Sequence, residues 1–338
     1  MKRFSKLLMA ASLMSLAFFT AGCDSEDSSE SSSGGVIAKD GDFVLLSSGS
    51  FNMGSTKGSA RGPVHQVTLT RNFYVCDHEV TQKEFKEIMG SLTSKLEELG
   101  EESEGGYGDD YAMNCVHWYH EVEYCNRRSI SESFTPCYSV SFTDDSENEV
   151  TSTDPDEWPS YSEWGTVKCN WDADGYRLPT SAEWEYAARA GDDTTDVLSY
   201  SGTSDLDELS EYAWWGENAC SAEGAYDASG KEVKTRKANA WGLYDMSGNV
   251  RERCWDLMTG WGYDSEEAVT DPVNGDEEGE GYSVDIRTNS DYCSTLMRGG
   301  AYNDYSGSQA ATADYFYQPF ASWLEWDGFR VVRTYVAE

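Results

Sequence analysis

The sequence predicts an α+β fold of short helices and short strands set in much irregular structure. Three observations carry this: capped helical segments are few, apolar–polar alternation runs for only a few residues at a time, and no helical period follows Gly191. Phe43-Val44-Leu45-Leu46 and Phe51-Asn52-Met53-Gly54-Ser55 read as strand, turn and strand. His65-Gln66-Val67-Thr68-Leu69-Thr70 alternates like a further strand. Thr81 with Glu84 makes a capping box and Gly90 is placed to end that helix. A second helix is expected over 118–128, where Trp118, Val122 and Cys125 share one face. A third begins at the Thr180/Glu183 capping box and is closed by Gly191.

Ahead of these elements, Lys2, Arg3 and Lys6 precede an apolar run over 7–19, too short for a membrane span, and then Thr20-Ala21-Gly22-Cys23. Residues 1–22 therefore read as an export signal. Ala-Gly-Cys resembles the lipobox of bacterial lipoproteins, which implies lipidation of Cys23 and a surface-exposed lipoprotein of the bacterial cell envelope. Residues 23–40, largely Ser, Asp, Glu and Gly at first, read as a flexible tether, and 41–338 as a single domain.

The formal net charge of -36 and sequence pI near 4.2 argue against nucleic acid as a partner, because phosphates would be repelled across most of the surface. Acid concentrates in 97–110, 144–163 and 264–285, which with their Gly and Ser read as surface insertions rather than helices. Apart from Cys23, eight cysteines remain: Cys76, Cys115, Cys125, Cys137, Cys169, Cys220, Cys254 and Cys293. An even number in an exported chain favours disulfides, and no CxxC suggests zinc.

Between Arg298-Gly299-Gly300 and Gly328-Phe329-Arg330 lies the most unusual stretch. Its 27 residues, 301–327, hold eight aromatics and no Lys or Arg. The rest is mostly Ala, Ser, Asn, Asp, Gln and Gly, the vocabulary of antibody contact loops. The stretch reads as a recognition surface, with some of its aromatics necessarily facing inward.

Several strings converge in order: Phe51-Asn52-Met53-Gly54-Ser55, Glu79-Val80-Thr81-Gln82, Tyr176-Arg177-Leu178-Pro179-Thr180, Gly242-Leu243-Tyr244-Asp245-Met246-Ser247-Gly248-Asn249-Val250, Arg298-Gly299-Gly300 and Gly328-Phe329-Arg330. In that order they resemble the formylglycine-generating enzyme, or sulfatase-modifying factor, family across roughly 41–335. The resemblance implies one domain related to the C-type lectin fold. It also implies two copper(I)-binding cysteines in the pattern Arg-Gly-Gly-Ser-x-x-Cys plus a second Cys five residues on. Here Asp304 and Gln309 stand at those positions and Ala301 replaces Ser. A carboxylate and an amide are poor ligands for a soft ion, so no copper and no catalysis are expected. A related branch uses a three-histidine iron site. This chain has His65, His78, His117 and His120 only, and His117/His120, spaced i, i+3, read as a partly buried or surface pair rather than half a metal site.

The resemblance further implies a structural calcium site at the turn, with oxygens from Asp245, Gly248, Val250 and Glu252. The refilled 301–327 stretch resembles the variable lipoproteins of diversity-generating retroelements, of treponemal type, in which Asn codons are rewritten at adenines. Tyr302, Asn303, Asp304, Tyr305, Tyr315, Phe316, Tyr317, Trp323 and Trp326 are the expected ligand-binding residues, the ligand being a protein or a glycan. Alternatives are a structural lipoprotein of an envelope or secretion machine, and a copper-dependent oxidase with displaced ligands.

Overall fold

A computed structural model describes residues 34–57, 63–221, 228–257, 266–273, 283–285 and 294–337. Cys23, the signal segment, the first part of the tether and Cys293 lie outside the described residues. In chain order the strands and helices begin with β1 (Val36–Asp40), β2 (Phe43–Leu46), β3 (Gly49–Met53), β4 (His65–Leu69) and β5 (Phe73–Cys76). Then come α1 (Gln82–Met89), α2 (Ser94–Leu99), α3 (Trp118–Ser131), β6 (Tyr138–Thr143), β7 (Glu149–Ser152), β8 (Trp164–Cys169) and β9 (Tyr176–Arg177). The chain continues through α4 (Ser181–Arg189), α5 (Leu209–Tyr212), β10 (Arg251–Leu257), β11 (Val269–Thr270) and β12 (Ser283–Asp285). It ends with β13 (Ser294–Arg298), β14 (Phe316–Pro319), β15 (Asp327–Gly328) and β16 (Val332–Thr334).

These strands form sheets ordered β1-β2-β5-β16-β9, β14-β13-β10-β15, β11-β4-β3 and β12-β8-β6-β7. The predicted α+β class holds. Both expected capping boxes are present: the Thr81 and Thr180 side chains accept from the amides of Glu84 and Glu183, whose carboxylates accept in return. Each such cap contributes about 1 kcal/mol. Gly90 ends α1 at φ 84°, but α4 closes one residue earlier than expected, with Ala190 rather than Gly191 as the left-handed cap at φ 48°.

Two apolar cores flank the sheets. One gathers Phe85, Trp118, Val122, Tyr138, Trp164, Trp255, Phe320 and Phe329 from α1, α3, the paired strands β6 and β8, β10 and the C-terminal segments. The other packs Ala182, Trp184 and Tyr186 of α4 against Val44, Leu46, Phe51, Val67 and Val75. Trp118 joins the aromatic stretch to this framework, its ring 4.6 Å from Phe320 and 5.6 Å from Trp255.

Three expectations are corrected. The tether does not run to residue 40: Val36–Asp40 is an edge strand paired antiparallel with β2, because its backbone finds a partner although every side chain stays exposed. Ser94–Leu99 is a helix entering the first acidic stretch, capped by Thr93 and anchored by buried Leu96. The disulfide bracing is absent among the described residues, where Cys76, Cys115, Cys125, Cys137, Cys169, Cys220 and Cys254 are free thiols. All but Cys220 are buried, and burial pushes Cys115 and Cys137 up to about 12, so they act as small apolar fillers.

Arg330 is fully buried and ties these layers together. Its Nε and Nη2 donate to the two oxygens of Glu252, each at 2.7 Å, and Nη1 donates to the Cys76 carbonyl at 2.9 Å. Arg330→Ala is expected to cost about 3–5 kcal/mol, since it strands the buried Glu252 carboxylate. Urea unfolding of the variant checks this, and a loss under about 1 kcal/mol would contradict it.

Candidate functional site

The site is built on the β14-β13-β10-β15 sheet. Register pairs Glu252 with Arg298 on one side and Arg251 with Asp327 on the other, so the strands present two chemically different faces. On the first face Glu252 accepts from Arg330 and from Trp184 Nε1 at 2.7 Å. Arg298 donates to Ser181 Oγ at 2.9 Å and to Glu185 Oε2 at 3.0 Å, locking β13 to α4. The Arg-Gly-Gly and Gly-Phe-Arg strings thus act through arginines that hold the frame from beneath.

The second face carries Arg251, Arg253 and Asp327 and lies under the aromatic loop. Gly299 and Gly300 turn the chain at φ 89° and 70°, and a Cβ on Gly300 would sit 2.6 Å from the Gln309 carbonyl oxygen. Directly after this turn, Asp304 Oδ2 accepts the Ala301 amide at 2.8 Å and Oδ1 accepts Arg251 Nη2 at 2.8 Å. Phe316 covers the same guanidinium, its ring centre 4.1 Å from Arg251 Cζ. Arg253 donates to Glu121 of α3 at 3.1 Å and to Thr295 at 2.6 Å.

With this geometry in view, comparison with known proteins gives a consistent answer. Residues 34–335 match the sulfatase-modifying factor enzyme 1-like domain. The chain belongs to that family. Chaperone protein LppX of Paenibacillus barcinonensis is 37% identical over 67% of this chain and 75% of the relative. The formylglycine-generating enzyme of Mycobacterium tuberculosis is 31% identical over 62% of this chain and 72% of the relative. Among solved structures, Treponema denticola variable protein 1 superposes with a TM-score of 0.65 at 27% identity, covering 86% of this chain and 95% of that one.

In this sulfatase-modifying factor domain the expected ligand residues divide by burial. Tyr305, Tyr317 and Trp323 are exposed; Asn303, Phe316 and Trp326 are half-buried. Tyr302, Asp304 and Tyr315 are buried, which corrects their placement on a contact surface. Tyr302 packs with Ala219 and Ala228, and Tyr315 belongs to the α4 core with Arg298 5.5 Å from its ring. Gln309 is half-buried, in a short 3-10 turn. His117 and His120 are half-buried with their tilted rings 5.0 Å apart, and His120 Nδ1 accepts the His117 amide at the start of α3.

Another cluster, Asp42, Asp77 and His78, borders a groove of about 420 Å³. The Lys234 ammonium already sits there, 2.9 and 3.0 Å from the Asp77 oxygens and 3.3 Å from Asp42. An internal cation therefore satisfies these carboxylates.

Sequence reasoning missed Arg251, Arg253, Asp327 and Glu121. The available signal was Arg251-Glu252-Arg253, three charges in succession entering a strand that is otherwise buried. Asp327 is fully buried, and neither carboxylate oxygen has a hydrogen-bond partner. Burial pushes its pKa up from 3.8 to about 6, against the pull of Arg253 and Arg251 and with the push of Asp304. The folded value lies above the unfolded one, so the contribution to stability is present below about pH 4 and is lost as pH rises through about 6. In Asp327→Asn this loss is removed: urea midpoints followed across that window fall less than in the parent chain, and equal slopes would refute the assignment.

Proposed function

We propose that this chain is a lipid-anchored ligand-binding protein of the bacterial cell envelope, carrying its contact surface on a non-catalytic sulfatase-modifying factor scaffold. The observation that carries the reading is the state of Asp304. Where the enzymes of the family hold a copper thiolate, this carboxylate is taken by Arg251 and the Ala301 amide. Neither it nor the Gln309 amide suits a soft ion, so copper does not fit these residues and no oxidation step is drawn through them. Around that locked position Tyr305, Tyr317 and Trp323 supply exposed aromatic area, flanked by half-buried Asn303, Phe316 and Trp326. The ligand is a protein or a glycan. Anchoring through Cys23 accords with the sequence reading. Among the described residues no helix is long and apolar enough to cross a membrane.

The variable protein of Treponema denticola supports a further part of the proposal, that the exposed loop positions differ between copies of the gene. A near-copy of the 3′ end differing mainly at adenines, beside a reverse transcriptase gene, is the expected finding. Similarity to a protein named a chaperone favours a second reading, in which the surface receives client segments. A permanent envelope interface would instead show as a stoichiometric co-purifying partner.

Calcium at the Asp245 turn is proposed as a structural ion. Three buried carboxylates, Glu79, Asp245 and Glu252, face one guanidinium, Arg330, and Asp245 Oδ1 has no partner. Glu252 is committed to Arg330, so Asp245 and the backbone carbonyls of Gly248 and Val250 would be the principal ligands, a hard oxygen set that fits a hard ion.

Two outcomes are expected. Tyr317→Ala and Trp323→Ala each weaken binding to the captured ligand by about tenfold or more without lowering the melting temperature; unchanged binding in both refutes the surface. A chelator lowers the melting temperature of the parent chain and added calcium restores it, whereas an unchanged melting curve removes the ion from the proposal.

A further inference from the structure

Five buried polar atoms without a partner converge on one face of the β10–β15 pair. They are Arg251 Nε, Arg253 Nη2, Tyr302 Oη and both oxygens of Asp327. Arg251 and Asp327 are register partners on parallel strands, and Arg253 lies two residues along on the same face. Tyr302 belongs to the loop above, its amide bonded to the Asn249 carbonyl at 2.8 Å, and Asp327 acts electrostatically on it. Three of these atoms belong to donor groups and two are acceptors, yet none meets another.

Charge sharpens the requirement. Arg251 is paired with Asp304 and Arg253 with Glu121, which leaves Asp327 as the carboxylate without a donor. A cation would face two guanidinium groups and an anion would face Asp327. A neutral group that both donates and accepts satisfies both sides. A hydroxyl does so: it donates to Asp327 and accepts from Arg251 Nε or Arg253 Nη2. In protein interiors such atoms are commonly bridged by a buried water or by a ligand group. Phe316, half-buried, covers the Arg251 guanidinium, and the Arg251 side chain is 13% exposed.

Resting on the ligand-binding reading above, we propose that the ligand is a glycan whose sugar hydroxyls enter beneath Phe316 and bridge Asp327 to Arg251 and Arg253. Exposed Trp323, with Lys95 Nζ 5.3 Å from its ring centre, adds aromatic area beside which a further sugar ring would pack.

Saturation-transfer NMR on the full chain tests this, with the methyl glycosides of glucose, galactose, mannose, fucose and N-acetylglucosamine as probes. At least one is expected to bind, with affinity falling about tenfold in Asp327→Asn and several-fold in Tyr302→Phe. Tyr302→Phe removes only an unpartnered hydroxyl, so it reports even if Asp327→Asn fails to fold. Binding of no glycoside, or equal binding by both variants, overturns the glycan assignment. A captured protein ligand that is lost in Tyr317→Ala also overturns it while leaving the ligand-binding reading intact.

Discussion

The interaction on which the structure depends is the burial of the Arg330 guanidinium against Glu252. A charge removed from water costs several kcal/mol unless its donors are matched, and here Glu252, the Cys76 carbonyl and the Tyr244 carbonyl accept from it. Because those acceptors come from the inner strand β10, from β5 of a second sheet and from the loop before the Gly248 turn, satisfying one side chain fixes three segments at once. Trp184 Nε1 adds α4 to the same carboxylate. The pair is thus a register device more than a source of net stability.

That device divides the central sheet. The Glu252 and Arg298 face is matched donor for acceptor against α4, and it behaves as a rigid floor. The Arg251, Arg253 and Asp327 face is not matched, and it looks toward the loop that carries the exposed aromatics. Imbalance is tolerable on one face because the other is overdetermined. The same logic pairs Arg251 with Asp304: a carboxylate in a partly closed site requires a partner for the polar atoms it introduces.

Much of this fold was legible in the sequence, for local reasons. Capping boxes at Thr81 and Thr180 and the glycine after α1 are local chemistry, so α1 and α4 could be read within a residue or two. β1 could not be read, since its strand character comes from pairing with β2 and not from any buried face. The cysteines misled because their number says nothing of distance; their burial in two cores does. At the site, aromatic content located the surface but not its orientation. Tyr315 and Tyr317 are two residues apart, yet Tyr315 precedes β14 and sinks into the α4 core, whereas Tyr317 lies on an edge strand opposite Leu296.

This difference in burial limits how the surface can diversify. Replacing a fully buried aromatic such as Phe320 or Tyr302 removes core contacts at a cost of about 3–5 kcal/mol, a large share of the stability of an ordinary domain. Replacing exposed Tyr305, Tyr317 or Trp323 costs about 0.5 kcal/mol or less, so many side chains can be tried there without loss of the fold. Asp304 belongs with the first group, because its loss would leave the Arg251 guanidinium unpaired beneath Phe316. A surface of this kind can vary its exposed aromatics freely only while the charges under them stay as they are. Under the proposed ligand-binding reading, specificity that persists across such variation would reside in the layer of Arg251, Arg253 and Asp327 beneath them.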